Sequence, residues 1–419
     1  MSFLFGKSKN ITKLFNNECK DAEIGPYQPE NAFSNITILP SFKSAATQIY
    51  VFKDKKKFVV GNENGSLSIW DSKFGTKIIE IKFHNQAINS IAEFNCGEKT
   101  FLAISSNDKS ITVWDTSTYK LISKVNGPKI YKIFEAEQIN EFFFAADFDL
   151  KIFDFSLNVL DQFPRKDHDN TVKFIILINK TKIVLATNTD IEFYVLFCFD
   201  KIDLIVKKIR IKLLKICENC HTDTILCLDY LKDSLFASGS CDGTIFIWQA
   251  ETMQKLQELK PFDECDLTES FIKSDFFSVC SIKQVYQRYL IIASGLNLSV
   301  FDNESKKFVY KIVNSHSRSK ITNLLLLENN ILVTGAENGS IRIWKFDECL
   351  DDKSVLNVSL KLIGECLGQS SAISIIKTIS KKEIISTGYD NIIIIWRDSS
   401  ATDIERQNEI TQILSKIKC

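Results

Sequence analysis

Several absences narrow what this chain can be. No stretch approaches the roughly 20 uninterrupted apolar residues that cross a bilayer as a helix, so the sequence offers no helical membrane insertion. Neither sign of charge is in excess, with 52 Lys and Arg against 52 Asp and Glu. A protein held on nucleic acid mainly by phosphate contacts usually carries a basic surplus, so only a local basic strip is left for such a partner. Glycine (15) and proline (6) are sparse in 419 residues, which leaves few flexible loops for catalysis. There is no P-loop, Rossmann glycine pattern, paired-histidine metal motif or kinase signature, and thus no sign of a small-molecule substrate or cofactor. The opening residues 1–7, MSFLFGK, lack the sustained apolar core of a signal peptide. Cysteine is not scarce, but its 12 copies are scattered without framework spacing. That usage suits the reduced thiols of an intracellular protein, placing the chain in cytoplasm or nucleus.

What is present is a repeat. A chain 45% apolar and this long exceeds one ordinary compact core, so it needs two domains or one large repeat architecture. The clearest unit, residues 220–259, holds four short runs rich in β-branched and aromatic residues, separated by polar turns. Asp242-Gly243 within it is a strong hairpin signal. One rule finds the other copies: a turn residue is followed six positions later by an aromatic that ends a third strand. The pairs are Asn64/Trp70, Asp108/Trp114, Asp147/Phe153, Asn188/Tyr194, Asp242/Trp248, Gly295/Phe301, Asn338/Trp344 and Asp390/Trp396. All five tryptophans fall in this slot. Successive turn residues lie 39 (Asp108 to Asp147) to 54 (Asn188 to Asp242) positions apart.

At Trp70-Asp71, Trp114-Asp115, Phe153-Asp154 and Phe301-Asp302 the chain resembles the WD-repeat family, over roughly residues 36–397. The resemblance implies an all-β propeller of four-stranded blades, eight by the count of units, with seven as the alternative if residues 171–216 are miscounted. The expected layout is an N-terminal arm over residues 1–34, partly disordered, a propeller over 35–399 and a short C-terminal helix over 400–419. That helix carries a capping box at Thr402 and Glu405 and an apolar face of Ile410, Ile413, Leu414 and Ile417. No fourth strand follows Trp396, whereas residues 35–39 form a spare strand ahead of the first unit. Pairing the two would close the ring and remove two sheet edges, at a loop-closure cost that grows slowly with length.

The four histidines, His84, His168, His221 and His316, each lie 20–24 residues before the turn residue of their unit. That register matches the family's Gly-His position, whose imidazole belongs, by resemblance, to a structural hydrogen-bond chain. One unit has the full set: His221, Ser238, Asp242 and Trp248. It superficially suggests a catalytic triad, but recurrence at repeat spacing assigns it to structure, and no catalytic residue is expected. The other units hold fragments: Asp108 with Trp114, Thr334 with Trp344, and Ser386 with Asp390 and Trp396. Cys217-Glu218-Asn219-Cys220-His221 matches the c-type haem attachment pattern. The repeat already claims His221, however, so neither haem nor a metal at Cys217, Cys220, Cys227 or Cys241 is expected.

Two insertions offer binding surfaces. Residues 201–215 alternate charged and aliphatic side chains, as a half-buried strand does; Lys208, Arg210 and Lys212 would line its exposed face, either as a solvated edge or as a partner-binding edge. The stretch from Pro261, PFDECDLTESFIKSDFF, is acidic and aromatic, a surface loop or a peptide-docking element. The expected function is non-enzymatic: a scaffold for other proteins in a multi-subunit complex. Residues 291–313 and the blades after them are similar to a WD-repeat subunit of the small-subunit ribosome-processing (U3) complex, which implies a ribonucleoprotein partner and a nucleolar location. That family carries two tandem propellers, where this chain has one. The alternatives are a substrate receptor of a ubiquitin ligase, or a membrane-traffic, nuclear-pore or cytoskeletal scaffold.

Overall fold

The computed structural model describes residues 33, 35–39, 44–127, 132–134, 142–146, 149–165, 171–199, 208–262, 277–350 and 356–398. They form eight antiparallel sheets of four strands each. Blades 1 to 7 each take four consecutive strands, over residues 46–82, 88–126, 132–163, 174–217, 225–259, 279–312 and 321–366. Blade 8 takes residues 373–397 and one strand from the N-terminal segment. The chain divides into two compact units, residues 43–282 and residues 1–42 with 283–419. Blades 1–5 belong to the first and blades 7 and 8 to the second, while blade 6 shares its residues between them. The count is therefore eight, and the doubtful fourth unit is a regular blade.

Burial follows position within each blade. Second and third strands such as Leu235–Ser240 and Ile245–Gln249 are buried along nearly their whole length, so they read as continuous apolar and small-residue runs. Fourth strands such as Lys77–Lys82 are mostly exposed and alternate with period two. Blades pack closely where a second strand carries glycine. A Cβ on Gly239 would stand 2.5 Å from Val279 Cγ1, and one on Gly61 2.6 Å from Ile88 Cγ2. No side chain fits between those strands.

The strand Asn35–Ile38 pairs antiparallel with Ile393–Arg397, Asn35 opposite Arg397 and Ile38 opposite Ile394. This is the pairing the closure argument required. Arg397 fastens it: Nη1 donates to Thr37 Oγ1 at 2.5 Å and Nε to Glu383 Oε1 at 2.8 Å. Phe33, just ahead of the strand, is buried in the core around Trp396.

The aromatic slot has a structural meaning beyond packing. In each of blades 1 to 7 the pairing of third and fourth strands slips by one residue there, between Ile69 and Trp70, Val113 and Trp114, Ile152 and Phe153, Phe193 and Tyr194, Ile247 and Trp248, Val300 and Phe301, and Ile343 and Trp344. Such a bulge adds twist to the outer hairpin. Blade 8 has no slip, and Ile36 lies opposite Trp396. One expectation needs correcting. The aromatic does not end the third strand in blades 4 and 7, where Ile191–Phe199 and Ile341–Leu350 run on past Tyr194 and Trp344. The arm apart from Phe33, the segment expected to form the C-terminal helix, residues 201–207 of the basic insertion, His168, Asp147 and most of the insertion after Pro261 lie outside the described residues.

Candidate functional site

In blade 5 the four residues singled out from sequence come together. Trp248 Nε1 donates to Ser238 Oγ at 3.0 Å, and His221 Nε2 lies 2.8 Å from the same oxygen. On its other side, His221 Nδ1 is 2.9 Å from Thr244 Oγ1 and 3.4 Å from Asp242 Oδ2. Thr244 Oγ1 in turn donates to Asp242 Oδ1 at 2.6 Å. Thr244 is thus a fifth member that the sequence reading missed. A neutral imidazole protonated on Nδ1 satisfies every contact, with Ser238 donating to Nε2. Burial alone would raise the Asp242 carboxyl, but hydrogen bonds from His221, Thr244 and Thr222 outweigh it and hold the group well below the usual carboxylate range. The imidazole also stacks on Phe246, 4.2 Å between centroids, and is essentially unexposed. A catalytic triad needs its nucleophile presented to substrate; Ser238 is fully buried, with its oxygen engaged by two partners.

The same set recurs in altered form, more completely than the fragments expected. In blade 2, His84 Nε2 is 2.9 Å from Thr112 Oγ1, which also accepts Trp114 Nε1 at 2.9 Å, and His84 Nδ1 is 3.0 Å from Asp108 Oδ2. In blade 7, Trp344 Nε1 and His316 Nε2 share Thr334 Oγ1, while His316 Nδ1 meets Ser340 Oγ, which donates to Asn338. Burial pushes both imidazoles below their ordinary value, His316 far below, with the Arg342 guanidinium adding to the effect there; Asp108 partly offsets it at His84. Blade 8 keeps Trp396 on Ser386 at 2.8 Å, but Gln369 stands in the histidine register. The hub hydroxyl moves between the two members of one cross-strand pair. It is on the second strand at Ser238 (opposite Phe246), Thr334 (opposite Arg342) and Ser386 (opposite Ile394), and on the third strand at Thr112 (opposite Ile104) and Ser68 (opposite Val60). A hydroxyl two residues before the tryptophan was the readable signal.

Blade 4 fills the position with charge. Arg165 Nη2 donates to Glu192 Oε1 at 2.9 Å and its Nε approaches both carboxylate oxygens, while Tyr194 Oη donates to Glu192. Burial and the adjacent Glu192 push the Tyr194 hydroxyl far above its usual value.

The thiols of the haem-like pattern point to structure. Cys220 Sγ donates to the Thr189 carbonyl at 3.0 Å, and burial pushes the thiol up to about 12. Burial likewise raises Cys217. Among the described residues no group of three or more His, Cys, Asp or Glu could hold a metal ion. A cavity of about 860 Å³ beside blade 5 is lined by Thr222, Asp242, Phe246, Lys255, Glu258 and Phe277 among others. Its charges answer one another: Lys255 Nζ is 3.2 Å from Glu258 and lies 4.1 Å over the Phe246 ring.

The basic strip lies on the long hairpin of blade 4. Lys208–Cys217 is that blade's fourth strand, with Lys208 opposite Phe199, Arg210 opposite Phe197 and Lys212 opposite Val195. Arg210 and Lys212 are exposed, while Ile209 and Ile211 between them are buried. Arg210 Nη1 is 3.4 Å from Asp161 Oδ1 of blade 3.

Comparison with known proteins settles the lineage. Residues 3–354 match the WDR41 β-propeller family. The chain belongs to the WDR41 β-propeller family. WD repeat-containing protein 41 of Homo sapiens is 22% identical over 422 residues, covering 90% of this chain and 89% of its own length. The Mus musculus protein of the same name is 21% identical, covering 94% and 93%. Eukaryotic translation initiation factor 3 subunit I of Nematostella vectensis is 33% identical over 81 residues, 18% of this chain and 25% of that one, a stretch of about two repeats. Among solved structures, the crystal structure of the computationally designed Ika8 protein covers 86% of this chain and 98% of its own, with a TM-score of 0.63 and 17% identity; that likeness concerns the fold alone. The WDR41-family match spans the blades carrying His84, His221 and His316, and it ends within the long hairpin of blade 7. This WDR41-family chain is an eight-bladed propeller of four-stranded blades, as its sequence repeat implied. No helix among its described residues is long and apolar enough to cross a membrane.

Proposed function

We propose that the chain is a non-enzymatic scaffold that holds other proteins within a multi-subunit intracellular complex. One observation carries the reading: the three described histidines, the residues that most resembled a catalytic set, are used inside the blades. The described histidines have both ring nitrogens engaged, and blade 4 fills the same position with an Arg–Glu pair. What is left for function is surface, and WD-repeat propellers typically bind other proteins. The test is gentle purification from the source cells followed by sizing and identification of what accompanies the chain. The scaffold reading expects a stable assembly well above the 47.8 kDa of the chain, with other proteins in fixed ratio. A lone chain with substrate turnover would contradict it.

A place in small-subunit ribosome assembly rests on the resemblance of residues 291–313 and the later blades alone. The same purification with and without nuclease tests it: co-purifying U3 RNA supports it, and cullin adaptors, coat proteins or pore proteins without RNA sink it.

A further inference from the structure

We propose that the exposed face of the blade 4 hairpin is a docking surface for an acidic segment of a partner protein; the proposal rests on the scaffold reading above. Cross-strand partners point to the same side of a sheet, so Val195, Phe197, Arg210 and Lys212 share one face. Leu196 and Ile211, on the opposite face, are buried with Ile209 in a cluster that includes Phe142, Phe144 and Ile152 of the neighbouring blade 3 segment. The apolar face therefore holds the hairpin in place, and the charges are not needed for that.

Blade 7 provides the control. It builds the same kind of extension past its aromatic slot, and its Phe346 packs on Tyr286 and Tyr289. Its charges balance: residues 345–350 and 356–361 carry Lys345 and Lys361 against Asp347 and Glu348, a net of zero. Lys345 Nζ is 3.1 Å from Asp347, and Tyr289 Oη donates to Glu348 at 2.8 Å. The matching part of blade 4, residues 195–199 and 208–212, carries Lys208, Arg210 and Lys212 and no carboxylate, a net of three positive charges.

Among the described residues, Asp161 is a carboxylate that meets this strip, and it is shared. Its Oδ1 faces Arg210 at 3.4 Å while its Oδ2 accepts the Ile211 amide N–H at 2.6 Å. Lys215, further along the strand, is turned to the Met253 carbonyl at 2.8 Å. The surplus calls for an acidic partner. The Asp161 contact also caps the outward-facing amide of the strand, so a partner is recognised there by side chains rather than by adding a strand. Protein fits better than nucleic acid. The cations alternate with Val195 and Phe197, the latter 40% exposed, and Leu214 on the same strand is 37% exposed. Apolar side chains of an amphipathic segment cover such groups, while its carboxylates pair with Arg210 in a fork geometry. A phosphate backbone uses only the charge.

The test treats the purified native assembly with a carbodiimide, which joins an amine to a carboxylate in contact with it, and sequences the joined peptides by mass spectrometry. Lys212 should be joined to Asp or Glu of another polypeptide. In cells carrying Arg210→Glu with Lys212→Glu, that polypeptide should be recovered about tenfold less, with thermal unfolding unchanged; Arg210→Gln with Lys212→Gln serves if the reversal impairs folding. Wild-type recovery with either pair overturns the proposal, as does Lys212 joined only to Asp161, or ultraviolet cross-linking of this face to RNA. An assembly that persists intact without these cations sinks the docking surface alone, whereas a chain with no stoichiometric partner sinks the scaffold reading itself.

Discussion

Blades 4 and 5 follow one another in sequence and fill the same internal position with unlike chemistry. Blade 5 uses a hydrogen-bond relay of tryptophan, serine, histidine, threonine and aspartate. Blade 4 uses a buried Arg165–Glu192 ion pair with Tyr194 on the glutamate. The backbone asks the same thing in both: a polar group two strands deep must be satisfied, because an unpaired buried donor or acceptor costs about 1–3 kcal/mol. Two unrelated solutions at one register are what a structural role for that position would produce.

Three experiments break or sharpen this comparison. The largest effect belongs to blade 4. Arg165→Ala leaves Glu192 charged and buried, and breaking such a pair from one side costs about 3–5 kcal/mol. Replacing the group together (Arg165→Met, Glu192→Leu, Tyr194→Phe) should be far milder, read as the denaturant midpoint. Equal losses for the single and triple variants would remove the ion pair from the account. A smaller effect belongs to the neutral hubs. Thr112→Val in blade 2 strands Trp114 and His84 and should cost about 1–3 kcal/mol. Adding Ile104→Thr moves the hydroxyl to the opposite strand, where blades 5, 7 and 8 carry theirs, and should return part of the loss. No recovery would mean that the two hub positions are not equivalent.

The smallest effect is a pH dependence. His84 and His316 have folded pKa values below the ordinary 6.5, so the unfolded chain binds protons first as pH falls. Their contribution is fully present above about pH 6.5 and is lost on acidification below it. The carboxylates of Asp108 and Asp242 are shifted down, so their contribution fades only below about pH 4. His316→Gln, which copies what blade 8 has at Gln369, should therefore lower the melting temperature slightly at pH 7.5 and flatten its fall between pH 7 and 5. An unchanged slope would show that His316 is not the titrating group.

Much of this was legible because it repeats. Tryptophan and its turn residue recur at a spacing that marks the third strand, and the spare strand at residues 35–39 showed how the last blade is completed. The hydrogen-bond set of blade 2 was harder to see. The hub can sit on either of two strands, so a search for serine or threonine at one fixed offset misses some of the copies; Thr112 lies two residues before its tryptophan, Ser238 ten. Blade 4 was hidden for a different reason. His168 drew attention by its register, yet Arg165, three residues earlier, is what meets Glu192. A lone arginine reads as surface until its buried partner is known. The bulge at the aromatic slot has no sequence marker at all, since the extra residue on the fourth strand is an ordinary aliphatic such as Ile78, Ile122 or Leu256.

The central claim is that the histidine sets hold blades together and that function lies on the surface. His221→Gln tests it most directly, by measuring the melting temperature and the partner proteins recovered with the chain in one preparation. The account predicts a lower melting temperature, from a loss of about 1–3 kcal/mol, with the same partners recovered at a temperature where the variant is folded. An unchanged melting temperature together with lost partners or a lost chemical activity would contradict it and return His221 to the list of functional residues.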